Sequence, residues 1–236
     1  MENKTKLQNI LDLYWDDLSC DVFPRDRSLA VIDNEGIQGM NTENIRFLIH
    51  LLVKYWAHNG IYLEVGSWQG ASLISAALFN TTAQCLSIDN FSEFQFSDRN
   101  NRDILAENIK KFPQIRNIIL HEGAYLQQLP EICSTLNKKV NVYFYDGAHD
   151  YISQKKGLEA ILPYLADDGL IVVDDVNWKE VAVAVNDFLF ENSQFQIIWQ
   201  VKTGDFSKDK SLEKIDPCWW NGILVLSKKR VEVGVT

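Results

Sequence analysis

The feature that most constrains the fold is an alternation of short apolar runs and helical patterns after Gly60. Such alternation is typical of a parallel sheet covered by helices on both faces, because each strand is then buried on both sides. The predicted strands are Ile61–Val65, Gln84–Ile88, Asn117–Leu120, Val140–Tyr145 and Leu170–Val173. The predicted helices are Ala71–Phe79, Ile104–Phe112, Tyr151–Leu165 and Trp178–Phe190. The pattern therefore predicts an α/β fold.

The C-terminal part departs from this alternation. Phe195–Lys202 and Gly222–Ser227 have strand patterns, and the polar stretch Thr203–Pro217 lies between them with no helical pattern. Two strands joined without a helix most easily pair antiparallel. We therefore predict a Rossmann-like mixed seven-stranded sheet with helices on both faces, whose last strand pair is antiparallel.

The N-terminal part has two helical patterns. One covers Lys6–Leu18, and the second begins at a cap, Asn41 or Thr42, and ends at Asn59-Gly60. The chain has no repeat and no Pro/Gly/Ser-rich linker. We therefore predict an N-terminal helical extension over residues 1–58 and one domain over residues 59–236. The pattern leaves open whether the extension is a lid or an oligomer interface, and whether the protein is a homo-oligomer.

Composition excludes several classes of protein. The 236 residues carry a formal net charge of −9, which disfavours a nucleic-acid binder because phosphate is repelled. The four cysteines form no CxxC pair, which favours reduced thiols over a zinc site or a disulfide framework; they are Cys20, Cys85, Cys133 and Cys218. No apolar run has membrane-spanning length, and the charged N-terminus does not resemble a signal peptide. We expect a cytoplasmic protein that binds neither membranes nor nucleic acids.

The first predicted strand leads into a glycine-containing loop, residues 64–72, EVGSWQGAS. In an open α/β sheet, ligands bind beyond the carboxyl ends of the strands, where the strand order reverses. Gly66 and Gly70 allow a sharp turn and a close approach to a ligand. Ser67 and Ser72 offer hydroxyl groups near a helix N-terminus, where a carboxylate is stabilised. The loop is therefore a candidate cofactor site.

Two acidic residues indicate which cofactor this loop would hold. The GxGxxG spacing of dinucleotide sites is absent, and Glu64 would repel a pyrophosphate. S-adenosylmethionine suits Glu64 better, because it carries sulfonium and ammonium charges. Asp89, at the end of the second strand, can accept both ribose hydroxyls. The alternative is a structural glycine turn in which Glu64 and Asp89 are ordinary polar strand ends.

A second group of acidic residues follows two later strands. Asp146 comes directly after Val140–Tyr145, and Asp174 and Asp175 come directly after Leu170–Val173. If these strands are neighbours, three carboxylates converge at one edge and repel one another unless a cation neutralises them. Oxygen ligands of this kind suit a hard cation such as Mg²⁺. The alternative is a set of polar strand ends that cap helices or bond loops.

The predicted base is His149, three residues after Asp146. A histidine on the loop above this edge could take the proton from a substrate hydroxyl. The other three histidines are predicted on a helix, at its end and at a strand end: His50, His58 and His121. The alternative is a loop histidine that bonds a backbone carbonyl.

Taken together, the motifs resemble class I S-adenosylmethionine-dependent methyltransferases, and most closely the macrocin-type, metal-dependent O-methyltransferases. The resemblance covers roughly residues 62–178 and includes EVGSxxGxS at 64–72, Asp89 and DGAHDY at 146–151. It implies a set of cofactor-binding residues: Glu64, Gly66, Ser67, Gly70 and Ser72 around the methionine end, Asp89 on the ribose, Gly123 and Ala124 beside the adenine, and Asp146. It also implies Asp146, Asp174 and Asp175 as metal ligands and His149 as base, with Asp174 where sugar-type members usually carry Glu.

The resulting hypothesis is an S-adenosylmethionine-dependent, Mg-assisted O-methyltransferase that acts on a hydroxyl of a small sugar- or catechol-like molecule. The alternatives are a metal-independent N- or C-methyltransferase, a non-catalytic binding module on the same fold, and a nicotinamide oxidoreductase. Irregular segments at the carboxyl edge are expected to face the substrate or to pack in the core or a dimer: Phe91–Asn101, Asn177-Trp178 and Thr203–Trp220.

Overall fold

A computed structural model of the protein describes residues 2–18, 22–203 and 218–229. Its seven strands are β1 (Ile61–Val65), β2 (Gln84–Asp89), β3 (Ile118–Glu122), β4 (Val140–Tyr145), β5 (Leu165–Asp174), β6 (Phe195–Val201) and β7 (Ile223–Lys228). Its helices are α1 (Glu2–Tyr14), α2 (Ala30–Asn34), α3 (Glu43–Trp56), α4 (Ala71–Ala77), α5 (Asn101–Lys110), α6 (Tyr125–Thr135), α7 (Tyr151–Ala160) and α8 (Lys179–Glu191).

The strands form one sheet in the order β3-β2-β1-β4-β5-β7-β6. The first five are parallel, whereas β7 runs antiparallel to both β5 and β6. The predicted Rossmann-like mixed sheet with an antiparallel last pair is therefore confirmed. The order reverses between β1 and β4, which puts the ends of these two strands at the position where α/β folds bind ligands.

Both faces of the sheet are buried in hydrophobic cores. On β5, Leu170 and Val172 face the core formed with α1–α5, whereas Ile171 and Val173 face the core formed with α6–α8. This alternation is the two-residue period of a strand, and apolar residues on both sides explain the continuous apolar runs in the sequence. Because the strands are held from both sides, their carboxyl ends lie on a rigid edge.

The N-terminal extension packs into the first of these cores. Trp15 lies 5.4 Å from Phe47 of α3 and 6.1 Å from Trp219 before β7, measured between ring centroids. Thr42 caps α3, as predicted, by accepting a hydrogen bond from Ile45 N. The extension and one face of the sheet therefore share one hydrophobic core. Within the described ranges, no helix is both long and apolar enough to cross a membrane.

Two helices were not predicted, and the predicted boundary between α7 and β5 was wrong. Helices α2 and α6 were not predicted, and α6 contains Pro130, which sequence patterns treat as a helix breaker. The predicted helix Tyr151–Leu165 ends earlier, at Ala160, and β5 begins at Leu165. An irregularity in the pairing between Val140 and Val142 accommodates the four polar and small residues after Leu165. Most of the predicted polar stretch, residues 204–217, lies outside the described residues.

Candidate active site

The loop after β1 is held against β4 by backbone contacts. Gly66 has a φ of +86°, and a Cβ there would lie 1.9 Å from the carbonyl oxygen of Asp146. Gly70 has a φ of +93°, and a Cβ there would meet Leu105 Cδ1 at 2.0 Å. Both positions therefore require glycine, because a side chain there would collide with atoms of the protein itself. Gly66 makes the ends of β1 and β4 adjoin.

Glu64 lies beneath this loop and is fully buried. It accepts hydrogen bonds from the hydroxyls of Tyr62, at 2.5 Å, and Ser72, at 3.3 Å. Burial raises the pKa of Glu64 to about 7, although hydrogen bonds from Ser67, Tyr62 and Ser72 oppose the rise. The loop thus rests on a carboxyl group that titrates near neutrality, and a nearby positive charge would favour its ionised form.

Asp89 joins the loops that follow β1 and β2. Its Oδ2 accepts the backbone N–H groups of Ser67, at 2.7 Å, and Trp68, at 2.8 Å. Its Oδ1 accepts the N–H of Phe91 at 2.7 Å. Each carboxylate oxygen has further lone pairs, so this role is compatible with ribose binding. Asp89 is therefore a structural residue of the loop as well as a candidate cofactor ligand.

Gly123 and Ala124 follow β3 at the same edge of the sheet. Gly123 N donates to Asp89 O at 2.9 Å, and its φ of +150° lies at the limit of the region that favours glycine. Ala124 is the N-cap residue of α6. The structure thus joins Gly123 to the end of β2 at Asp89, and the role of Gly123 and Ala124 beside the adenine stays a prediction.

The ends of β4 and β5 bring acidic side chains and a histidine together. Asp146, His149 and Asp175 each offer a ligand atom, and these atoms lie within 4.8 Å of one another. His149 Nε2 is 3.3 Å from Asp175 Oδ2 and 3.7 Å from Asp146 Oδ1. Asp174 is not a member of this group, although it is buried next to it in the chain. The predicted base therefore shares one cluster with two of the three predicted metal ligands.

The pKa values of all three carboxyl groups at the ends of β4 and β5 are raised. Burial raises the pKa of Asp174 well above its usual value, and the charges of Asp146 and Asp175 raise it further. Burial likewise raises the pKa of Asp146, with contributions from Asp175, Glu64 and Asp89. The pKa of Asp175 is also raised by burial, against the charge of His149. In this environment ionised carboxylates are costly unless a cation balances them.

Several polar atoms at the ends of β4 and β5 have no hydrogen-bond partner among the described residues. They are buried and include His149 Nε2, Asp174 Oδ1 and Asp175 Oδ1. Asp175 also adopts a left-handed backbone with a φ of 54°. Unsatisfied buried atoms and a strained backbone are unusual in a fold that serves packing alone, and they concentrate at functional sites.

The sequence places Trp178 in an irregular segment at the carboxyl edge, and the structure places its ring next to His149. Its ring centroid lies 5.7 Å from that of His149, and its side chain is partly exposed. Trp68 was also missed, although it stands within the glycine motif with a φ of 46°. An aromatic residue at a loop position that favours glycine was the available signal. The segment Phe91–Asn101 contributes Phe94 and Phe96, both exposed.

Comparison with known proteins agrees with this geometry. Residues 63–176 match the family described as a methyltransferase domain. Over this segment the chain is similar to methyltransferase domains. The match and the strand order confirm the predicted class I methyltransferase. No curated protein matches the chain.

Solved structures show the same fold at low sequence identity. An O-methyltransferase from Bacillus cereus in complex with SAH has a TM-score of 0.62 and 14% identity, over 95% of this chain and 97% of that chain. TomG from Streptomyces achromogenes, in complex with SAM, has a TM-score of 0.61 and 15% identity, over 87% and 91%. CalS11, a TDP-rhamnose 3'-O-methyltransferase, has a TM-score of 0.53 and 17% identity, over 83% and 87%.

The acid cluster leads to a prediction about stability. Because folding raises the pKa of Asp174, its carboxylate destabilises the fold increasingly as pH rises above the usual aspartate range. We expect Asp174→Asn to raise the Tm of the metal-free protein at pH 8 by about 2–4 °C, or ~1 kcal/mol, with a smaller gain at pH 5. Calorimetry in EDTA measures this, with Asp150→Asn as the matched control. Equal losses of Tm at both pH values would contradict the prediction.

Proposed function

We propose that this protein is an S-adenosylmethionine-dependent O-methyltransferase that acts on a hydroxylated small molecule with the help of a divalent cation, Mg²⁺ by preference. The observation that carries the proposal is the cluster of Asp146, His149 and Asp175 within 4.8 Å, at the rim that Gly66 joins to the loop after β1. Donor site and proton acceptor would thus lie side by side, as methyl transfer to oxygen requires.

The charge of the site supports this methyl donor. The hydroxyl groups that donate to Glu64 carry no charge, so they leave its negative charge uncompensated. Asp89 and Asp146 lie close enough for the charges of these carboxyl groups to add to the same negative potential. A sulfonium and an ammonium group would compensate this negative potential, whereas a pyrophosphate would be repelled. The Bacillus cereus protein and TomG were solved with SAH and SAM, respectively.

A divalent cation fits the residues at the ends of β4 and β5. Asp146 and Asp175 supply carboxylate oxygens, and the unpartnered Oδ1 atoms of Asp174 and Asp175 are available as donors. We propose Asp146 and Asp175 as ligands, with Asp174 as the third carboxylate of the predicted set. When bound, the cation would lower the pKa of the acceptor hydroxyl and orient it. Hard oxygen donors favour Mg²⁺ over softer metals.

His149 is the proposed general base. Its Nε2 would take the proton of the acceptor hydroxyl while that oxygen forms a bond to the methyl carbon and the carbon–sulfur bond of the donor breaks. The pair of electrons stays on sulfur, which leaves S-adenosylhomocysteine, and the proton stays on His149. Asp175, 3.3 Å away, would stabilise the resulting imidazolium. The Trp178 ring limits the imidazole orientation from one side.

The place of His149 among the acids also supports a second role as a metal ligand, since its Nε2 is within the group of candidate ligand atoms. The rival reaction is N- or C-methylation without metal, which would leave the acid cluster without a purpose. A binding module is disfavoured for the same reason, because buried like charges cost stability. The cytoplasmic location and the absence of membrane and nucleic-acid partners remain predictions.

Removing divalent metal tests the reaction class. We expect EDTA to lower methyl transfer to a catechol or a sugar diol by at least about 10²-fold, because cation and hydroxyl would no longer be paired. Radiolabelled methyl transfer measures this, and restored activity with Mg²⁺ is the control. Full activity in EDTA, with unchanged cofactor binding, would show that the metal assignment is wrong while the methyltransferase assignment stands.

The two roles of His149 predict different results for His149→Ala. If His149 is the base, kcat of the His149→Ala variant should fall by about 10²–10⁴-fold at pH 7, and its metal affinity should change by less than about threefold. Turnover should recover partly at higher pH, where the hydroxyl ionises more readily. Single-turnover rates and metal titration by calorimetry measure both quantities. A loss of metal affinity that parallels the loss of turnover would assign His149 as a ligand instead.

Glu64 predicts a pH dependence of cofactor binding. Its pKa of about 7 means that roughly half of the free protein carries a proton there at neutral pH, and a cationic cofactor favours the ionised form. We expect S-adenosylmethionine to bind about threefold to tenfold more tightly at pH 8 than at pH 6, with release of a proton. Calorimetry in two buffers measures both effects. In Glu64→Gln the dependence should flatten, which separates it from the titration of the cofactor's own amino group; an unchanged slope would contradict the role of Glu64.

A further inference from the structure

A groove separates the N-terminal extension from the loops after β1 and β2. It is an open groove of about 550 Å³, a volume within the range of about 300–1,000 Å³ that is usual for small-molecule sites. One wall is formed by the extension and the other by the two loops. The residues that matter here are Phe23, Gln38, Asn41 and Arg46 on the first wall and Trp68 and Phe96 on the second. The cluster of Asp146, His149 and Asp175 does not line this groove.

Aromatic rings form the second wall. The Trp68 and Phe96 ring centroids are 5.8 Å apart at 80°, and Trp68 Nε1 donates to the carbonyl of Phe94 at 3.1 Å. Phe96 is nevertheless 72% exposed. Trp68 and Phe94 also have positive φ angles of 46° and 52°. A strained loop that presents rings to solvent gains nothing from burial in the free protein, whereas it can stack on a ligand.

The charges of the other wall are already paired. The Arg46 side chain is 5% exposed and binds both carboxylate oxygens of Asp33 at 2.7 Å through Nη2. Arg27 and Glu43 form a second pair at 2.7 Å. Arg46 Nε has no hydrogen-bond partner within the described chain, although it is buried. The groove therefore offers neutral hydrogen-bonding groups and one unsatisfied N–H, but little free positive charge from these two arginines.

The second wall of the groove is continuous with the loop after β1, which is the candidate cofactor loop. Gly66 touches the carbonyl of Asp146, and Trp68 is two residues further along the chain, at most about 7 Å away. The N–H of Trp68 is bonded to Asp89, which fixes the second wall to the cofactor loop. A molecule of moderate size could thus lie in the groove with one end at the rim.

We propose that this groove binds the non-reacting part of the methyl acceptor, and that the acceptor is an uncharged ring compound bearing hydroxyl groups. This inference rests on the proposed function and narrows its substrate class. Ring faces would stack on Trp68 and Phe96, and ring oxygens would meet the side-chain amides of Gln38 and Asn41. An acceptor carried on a nucleoside diphosphate or another phosphorylated carrier would find two arginines already neutralised, on a protein of net charge −9.

The test compares binding of two probes with the same sugar, 4-nitrophenyl β-D-glucoside and UDP-glucose, in the presence of S-adenosylhomocysteine. We expect the wild-type protein to bind the uncharged glucoside about tenfold more tightly than UDP-glucose, by calorimetry or saturation-transfer NMR. Phe96→Ala should weaken glucoside binding about fivefold and leave the affinity for S-adenosylhomocysteine unchanged. Phe190→Ala, which removes a still more exposed ring on α8, is the matched control and should change neither affinity.

The outcomes separate the two proposals. The groove assignment is overturned if UDP-glucose binds more tightly, if the glucoside does not bind, or if the Phe96→Ala and Phe190→Ala variants have equal glucoside affinity. In each of these cases, binding of S-adenosylhomocysteine would still support the proposed methyltransferase function. Absence of S-adenosylhomocysteine binding overturns the proposed function and with it the acceptor role. A wild-type dimer that Phe96→Ala dissociates in sedimentation also overturns the assignment, because the groove would then be an interface between copies.

Discussion

Electrostatic repulsion among buried carboxyl groups is the constraint around which the active rim is organised. Asp146 and Asp175 meet at the ends of two neighbouring strands, and Asp174 is buried directly before Asp175 in the chain. Burial raises the pKa of all three, and neighbouring carboxylates raise the pKa values of Asp146 and Asp174 further. Such a cluster costs stability in the free protein. Because the surrounding sheet is buried on both faces, it can supply the free energy that holds the carboxyl groups in place.

The antiparallel end of the sheet contributes to this rim in a way that a wholly parallel sheet could not. The loop after β5 is bonded to the residues before β7: Val176 N donates to Gly222 O at 3.4 Å, and Asn177 N donates to Asn221 O at 2.9 Å. The Asn177 side chain also pairs with Thr203 after β6. The strained backbone of Asp175 is thus supported from a strand distant in sequence, which explains how it persists.

How far the sequence predicts the structure depends on how local each signal is. The strands of the parallel sheet, the cap at Thr42 and the glycine loop were predicted, since each follows from apolar periodicity or from side chains next to their own backbone. Helix α6 was not predicted because it contains Pro130, which normally ends a helix. The start of β5 was predicted too late because polar and small residues follow Leu165. The groove was not predicted, because its two walls come from segments that only packing brings together.

By itself, the sequence determined the α/β class, the order of the strands along the chain and, to within two residues, where each strand ends. A two-residue or 3.6-residue period is present in consecutive side chains and can be read without the fold. The match to a methyltransferase domain agrees with that level of detail. Tertiary structure alone decided that His149 joins Asp146 and Asp175, that Asp174 lies outside this group of ligand atoms, and that Gly66 faces the carbonyl of Asp146. These are distances between chain segments, and they depend on strand register and loop path, which no local periodicity encodes.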